Sequence, residues 1–283
     1  MKILKILLPL LFFCHNLLAQ ECESRYSALV LDGKNNQVLF ENRASQYVYP
    51  ASLTKVMTLY LTFEALEENK LKLSDKIKIS AYAEDISEVN KITTLHLKEG
   101  DEVTVLQAIR GAAVKSFNEM AVALAEKIAG NEWEFTKMMN EKARKLKMYH
   151  TNFRNASGLH EDGQYSTAYD LARLLVAAQK RFPQYKKYFE EKEFVYGEKK
   201  YLTHNHFLLG YKGATGFKTG FTSKAGYNLM ASAKRDEAAI LGVLVACDKF
   251  KIRDEFMGEV FDEAFLKVAN RDKNEMRVYL EDY

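Results

Sequence analysis

The sequence predicts an α/β (α+β) fold, with one antiparallel sheet drawn from both ends of the chain, flanked by helices and interrupted by a mainly helical insert. Three observations predict it. Two strand-like runs lie near the N-terminus, a long stretch of helical periodicity fills the middle, and extended apolar runs return after residue 192 before a last amphipathic helix.

The elements follow in order. YSALVL (26–31) and QVLFE (37–41) are rich in residues that suit a pleated surface, and the turn-rich DGKNN between them makes the pair a hairpin. After Pro50, the spacing of Val56, Leu59, Tyr60 and Phe63 is helical, and a proline near the first turn suits a helix start because its missing N–H would be unpaired there anyway. Residues 104–147 read as helix in three pieces, VTVLQAIRGAAV, NEMAVALAEKIAG and NEWEFTKMMNEKARKLKM, with Gly130 a C-cap between the last two. TNFRNASGLHEDGQYS is a loop, and Thr167 and Asp170 open a helix, AYDLARLLVAAQ, with capping spacing. EFVYG, ATGFKTGF, YNLMASAKR and AAILGVLVACD then read as strands, and KFKIRDEFMGEVFDEAFLKVA as the closing helix.

Composition is that of an ordinary globular chain: 283 residues, 47% hydrophobic and 28% charged. Residues 1–20 differ. MKILKILLPLLFFCHNLLAQ has Lys2 and Lys5, an apolar run and a small residue before a polar change, the pattern of a secretory signal peptide; an uncleaved anchor is the alternative. Residues 21–283 are then expected to form one domain, exported to the periplasm, soluble or loosely membrane-associated, with no stable membrane anchor unless the signal stays attached. Loss of the leader leaves 39 basic against 38 acidic side chains, which argues against nucleic acid as a partner, since phosphate binding needs a basic patch. Two cysteines, Cys22 and Cys247, remain, compatible with a disulfide or with two free thiols.

Chemistry is carried by three short patterns: Ser52-Leu-Thr-Lys55 at a helix start, Ser116-Phe-Asn118 between helices and Lys218-Thr219-Gly220 on a strand. A serine hydroxyl becomes a nucleophile when a base takes its proton. Lys55, three residues on, shares a helix face with Ser52, and serves as a base once burial or a neighbouring cation such as Lys218 lowers its pKa. The plainer reading makes Ser52 a helix cap and Lys55 a solvated surface charge. Asn118 offers a donor and an acceptor to a peptide backbone. Lys218 and Thr219 offer a cation and a hydroxyl to a carboxylate, and Gly220 leaves room for close approach of a ligand.

Taken together, the trio resembles that of the low-molecular-weight penicillin-binding proteins, the serine-type D-alanyl-D-alanine carboxypeptidases. NASGLHEDGQYSTAYDLARL and GFKTGFTSKAGYNLMASA are also similar to segments of that family, and the likeness runs from about residue 25 to about 265. It implies a β-lactamase/transpeptidase-like sandwich and removal of the terminal D-alanine from peptidoglycan stem peptides through an acyl-enzyme on Ser52. β-Lactam antibiotics would be covalent inhibitors, and no cofactor or metal is needed. The resemblance further implies that Ser116 relays a proton between Lys55 and the leaving amine, and that the N–H groups of Ser52 and Phe221 form the oxyanion hole. In that topology the first strand neighbours the last, which would bring Cys22 and Cys247 within reach of a disulfide.

Phe117 and Phe221 depart from the family pattern, and both rings are expected to narrow or reshape the site. Many family members carry a second, all-β domain and a terminal amphipathic helix; the tail NRDKNEMRVYLEDY is too polar to anchor. The alternatives are a D,D-endopeptidase of peptidoglycan cross-links, a β-lactamase using Glu161 or Asp162, and a non-catalytic penicillin- or peptidoglycan-binding module, for which Lys55 has no use. His204 and His206 form a possible metal pair on one face of a strand, with a surface or loop role the plainer reading. Arg253 reads as a surface charge or as a carboxylate ligand.

Overall fold

The computed structural model describes Cys22 and residues 25–89 and 93–270. The leader expected at 1–20 lies outside the described residues, as does the tail from 271. Along the chain run β1 (Ser27–Asp32), β2 (Val38–Asn42), α1 (Thr54–Glu67), β3 (Lys76–Lys78), α2 (Ala81–Val89), β4 (Glu102–Thr104) and α3 (Val105–Arg110). The helical middle continues with α4 (Asn118–Ala129), α5 (Glu132–Lys145), α6 (Ala168–Arg181) and α7 (Lys187–Glu190). Then come β5 (Glu193–Tyr196), β6 (Lys199–Leu202), α8 (His206–Gly210), β7 (Ala214–Thr222), β8 (Gly226–Arg235), β9 (Ala238–Cys247) and α9 (Phe250–Ala269).

Five strands form the main sheet in the order β2-β1-β9-β8-β7, every pair antiparallel. β1 from the start of the chain lies against β9 from its end, Leu29 opposite Val243. Alternation along β1 sends Leu29 and Leu31 into one core with Val56, Leu59 and Leu171, and Ala28 and Val30 into another with Phe256, Val260 and Phe261. Both faces of the sheet are therefore covered by helices, which is why β1 and β9 read as near-continuous apolar runs. Cys22 and Cys247 are joined in a disulfide, Cα–Cα 4.7 Å, at this same junction of chain ends.

Capping set the boundaries as expected at two places. Gly130 ends α4 in the left-handed conformation (φ 83°), and Thr167 Oγ1 accepts the Asp170 N–H at 3.1 Å to open α6. At a third place the expectation needs correction. Val103 belongs to β4, and the helix begins after Thr104, whose capping box with Gln107 closes by two bonds of 3.1 and 2.8 Å. EFVYG is β5 as expected, but its partner β6, the hairpin β3–β4 and helix α2 were not expected; strands of three and four residues are too short to show a period. No described helix is long and apolar enough to cross a membrane.

Candidate active site

The turn that carries Ser52 is held under local strain. Pro50 (φ −69°) leads into Ala51, whose φ of +48° is a left-handed conformation that costs an alanine about 1 kcal/mol. Ala51–Leu53 make one 3₁₀ turn, the Leu53 N–H donating to Pro50 O at 3.2 Å, before α1 begins. Two glycines pack closely against this turn. A Cβ on Gly220 would stand 2.9 Å from Ser52 N, and one on Gly158, itself at φ +83°, would stand 1.9 Å from Ala51 O. Gly220 thus leaves room for the Ser52 turn, a closer neighbour than the ligand expected there. Asn228, fully buried on β8, ties the turn to the sheet: its amide donates to Tyr49 O (2.9 Å) and Pro50 O (3.1 Å) and accepts from Ala246 N (2.8 Å).

Ser52 is not a cap, because no side chain caps the start of α1. Its Oγ lies 3.1 Å from Lys55 Nζ. Lys55 is fully buried, and its Nζ also donates to Asn118 Oδ1 (2.7 Å) and to Ser157 O (2.6 Å). Two fixed acceptors take two N–H bonds. In the neutral amine the lone pair is then left facing the Ser52 hydroxyl, the geometry a general base requires. Burial holds the Lys55 pKa well below the usual lysine range; the nearby Lys218 charge lowers it further, and Glu119 and Glu132 oppose both. The surface-charge reading of Lys55 is thereby excluded. Glu132 acts on geometry too: one oxygen accepts Ala156 N at 2.8 Å, fixing the loop whose Ser157 O receives Lys55. Asn118 is set by Thr93, whose Oγ1 accepts from Nδ2 at 2.8 Å and whose carbonyl accepts from the Asn118 N–H at 3.0 Å.

Residues 111–115 widen from α3 into a π-helical turn that ends at Ser116 in the left-handed conformation (φ 66°). The Ser116 hydroxyl is buried and meets no hydrogen-bond partner among the described residues. It opens on a cleft of about 470 Å³ shared with Ser52, Asn118, Thr219, Gly220 and Phe221. β7 is the edge strand beside that cleft, and Lys218, two residues before Gly220, lies on the same strand face. Lys218 is buried, donates to Thr219 O at 3.0 Å, and has its pKa lowered to about 7 by burial and then by the Arg253 charge.

Several neighbours depart from expectation. Arg253 is 2% exposed, donates to Asn228 O (3.1 Å) and Asp254 Oδ1 (2.7 Å), and lines the cleft; the surface-charge reading fails. Phe117 is buried against Phe194 and Tyr201 in the core and does not narrow the site. Phe221 does stand in the cleft, half exposed and stacked on Tyr227 with ring centroids 4.3 Å apart. His204 and His206 line the cleft from the start of α8, where Asn205 caps, and not from one face of a strand. Burial, with Lys115, Lys218 and His206 nearby, drives the His204 pKa down to about 4. Glu161 is engaged by Arg154 and Asn155, and Asp162 is exposed. Gly158, Ser157, Thr93 and Asn228 were missed as site residues. A lone amide in the apolar run YNLMASA is the signal that marks Asn228, because a buried Asn needs partners.

A family model described as D-alanyl-D-alanine carboxypeptidase matches residues 17–248. The D-alanyl-D-alanine carboxypeptidase DacF of Bacillus subtilis is 35% identical over 247 residues, covering 84% of this chain and 61% of its own. DacC of Escherichia coli is 34% identical over 228 residues, covering 80% of this chain and 57% of its own. The chain thus spans less than two thirds of the length of these relatives. Among solved structures, penicillin binding protein 5 from Haemophilus influenzae superposes with a TM-score of 0.81 at 31% identity, over 85% of this chain and 70% of that one. Penicillin-Binding Protein D2 from Listeria monocytogenes, in its ampicillin-bound form, gives a TM-score of 0.73 at 27% identity, over 84% and 96%. With the matched family model covering most of the sequence, the chain belongs to the D-alanyl-D-alanine carboxypeptidase family.

Proposed function

We propose that the protein is a serine-type D-Ala-D-Ala carboxypeptidase that trims the terminal D-alanine from peptidoglycan stem peptides. The observation that carries this reading is the buried Lys55 amine, fixed by Asn118 and Ser157 with its remaining direction on Ser52 Oγ. Lys55 takes the Ser52 proton as Oγ bonds to the carbonyl carbon of the penultimate D-Ala. The carbonyl π electrons move onto oxygen, held by the N–H groups of Ser52 and Phe221. Collapse of this intermediate breaks the C–N bond. The leaving amine takes a proton passed from Lys55 through Ser116, whose unpartnered hydroxyl suits a relay. Free D-alanine departs, and water then hydrolyses the Ser52 ester, returning the proton to Oγ. Lys218, Thr219 and Arg253 receive the substrate's terminal carboxylate, and Asn118 serves its backbone. β-Lactams acylate Ser52 by the same attack on a strained amide.

The carboxypeptidase reading is favoured over a β-lactamase because Glu161 is engaged by Arg154 and Asn155, Asp162 is exposed, and neither is among the described residues that line the cleft with Ser52. We place the protein outside the cytoplasmic membrane on the pattern of residues 1–20. Mass spectrometry of purified muropeptides after incubation tests the reaction. Monomers are expected to lose one alanine with wild type and none with Ser52→Ala; cross-linked dimers falling to monomers would replace the reading by an endopeptidase.

A further inference from the structure

Beside the cleft lies a ledge of tyrosines that the chemistry above does not use. Tyr47, Tyr49 and Tyr165 are 60%, 42% and 38% exposed, unusual for large aromatic side chains lying together on one surface. They border a groove of about 480 Å³ whose other walls are Val48, Gly163 and Gln164, so among the described residues no charged side chain lines it. We propose that this ledge docks the sugar strand to which the stem peptides are attached; the inference rests on the carboxypeptidase reading.

Three features support that occupant. The ledge is rigid. Val48 and Ser166 exchange two backbone hydrogen bonds of 2.9 Å, Asn152 and Tyr165 exchange two of 2.9 and 3.1 Å, and Tyr47 packs edge-on to Tyr165 at 5.1 Å. Rings presented on a fixed backbone lose little freedom when a ligand lands on them. The ledge is also continuous with the active site. Tyr49 precedes the nucleophile turn and packs edge-on to His160 at 5.2 Å, and His160 meets Lys224 at 2.8 Å just after cleft residues Thr222 and Ser223. A second groove, shared through Tyr165 and lined also by Arg144, runs on to Tyr149, which is 69% exposed. Finally, the chemistry matches. A pyranose ring has an apolar C–H face that lies on an aromatic ring and a rim of hydroxyl and acetamido groups that bond to tyrosine hydroxyls. In a strand bearing stem peptides the lactyl carboxyls are tied up in amide bonds, so the sugars are neutral, as the groove is. An anionic polymer would call for several cations; among the described residues the first groove is lined by none and the second by Arg144 alone. A second copy of the chain would call for a much larger face, about 800 Å² per partner.

Docking there would raise the local concentration of stem peptides at Ser52 without touching the chemistry. The test uses Tyr47→Ala/Tyr165→Ala beside Tyr47→Phe/Tyr165→Phe, which keeps the rings. An N-acetylglucosamine hexamer serves as a neutral sugar probe in a calorimetric titration. Hydrolysis is followed on isolated sacculi and on a soluble acyl-L-Lys-D-Ala-D-Ala tripeptide. The alanine pair is expected to weaken hexamer binding and sacculus hydrolysis by about tenfold or more, with kcat/KM on the tripeptide within twofold of wild type, and the phenylalanine pair to retain most of both. Absence of hexamer binding to wild type, or an equal loss on sacculi and tripeptide, overturns the proposal. So does a concentration-dependent dimer that the alanine pair abolishes. A wild type that leaves the tripeptide intact and takes no penicillin refutes the carboxypeptidase reading, while the hexamer titration still decides the ledge.

Discussion

Replacing Gly158 by alanine would separate the clamp on the nucleophile turn from the general stability of the fold. The new Cβ would stand 1.9 Å from Ala51 O, 2.4 Å from Ala51 C and 3.0 Å from Ser52 N, all backbone atoms that cannot rotate away. An ordinary carbon–oxygen contact is above 3 Å, so the two segments must part by about 1 Å. A nucleophile misplaced by that much loses about 100-fold in rate. The stability cost adds a left-handed alanine, about 1 kcal/mol, to overpacking of about 1–3 kcal/mol. For a chain of this size, at about 2 °C per kcal/mol, that lowers Tm by about 4–8 °C. Gly163→Ala is the control. It has nearly the same backbone conformation (φ +81°), but its nearest neighbours would be 4.0 Å away. The rate of acylation by a fluorescent penicillin and a thermal melt are measured on both. Gly158→Ala is expected to be slow and destabilised, Gly163→Ala only slightly destabilised. Wild-type acylation by Gly158→Ala, or an equal loss in both variants, would refute the clamp.

Asn228→Ala should leave two backbone carbonyls and one N–H buried without their partner, costing about 3–5 kcal/mol, read as a fall in the urea midpoint; an unchanged midpoint would mean the turn is held otherwise. Lys218, with a folded-state pKa of about 7 against the ordinary 10.5, loses its charge as pH rises through 7, so KM for a carboxylate-bearing peptide should climb above that pH. Because the unfolded chain holds more protons between pH 7 and 10.5, this residue's destabilising contribution is full below 7 and fades towards 10.5. Lys218→Met should accordingly gain stability relative to wild type most at pH 6, by a margin that closes near pH 10; a pH-independent margin contradicts the buried lysine. Reduction of the disulfide, which spans 225 residues of sequence, should lower stability by up to about 5 kcal/mol, and a melt unmoved by reductant after thiol release is counted would disprove it.

The main sheet was legible because burial on both faces writes itself into sequence as apolar runs. AAILGVLVACD and YNLMASAKR read as strands, and they are β9 and β8, both inside the sheet with a neighbour on each side. The small hairpins were not legible for the opposite reason. β3 buries only Ile77 of its three residues and β6 buries none, so tertiary position, not pattern, makes them strands. The start of α3 was misplaced by a similar competition. Val103 fits a helical period, but Thr104 bonds its own capping partner Gln107 and stops the helix there.

At the site, what the sequence showed was side-chain chemistry, and what it hid was backbone. Ser52, Lys55, Ser116, Asn118 and the Lys218–Gly220 strand could be named because hydroxyl, amine and amide are properties of the residue. The lone-pair direction of Lys55 could not be named, because it is set by Ser157 O, a carbonyl that any residue would provide. The same holds for the clamp. Gly158 and Gly220 matter through Ala51 O and Ser52 N, atoms common to every residue, and are visible only once the two loops are in contact. Ala51 shows where the two levels meet. A glycine there would adopt φ +48° without strain, yet it would also let the turn relax when unclamped. An alanine makes the left-handed conformation depend on the surrounding contacts, so Ser52 is positioned only while Asn228 and the two glycines hold the turn. The capping-like stretch PASLTK then holds Ser52 against Lys55 through its neighbours' backbones as much as through its own side chains.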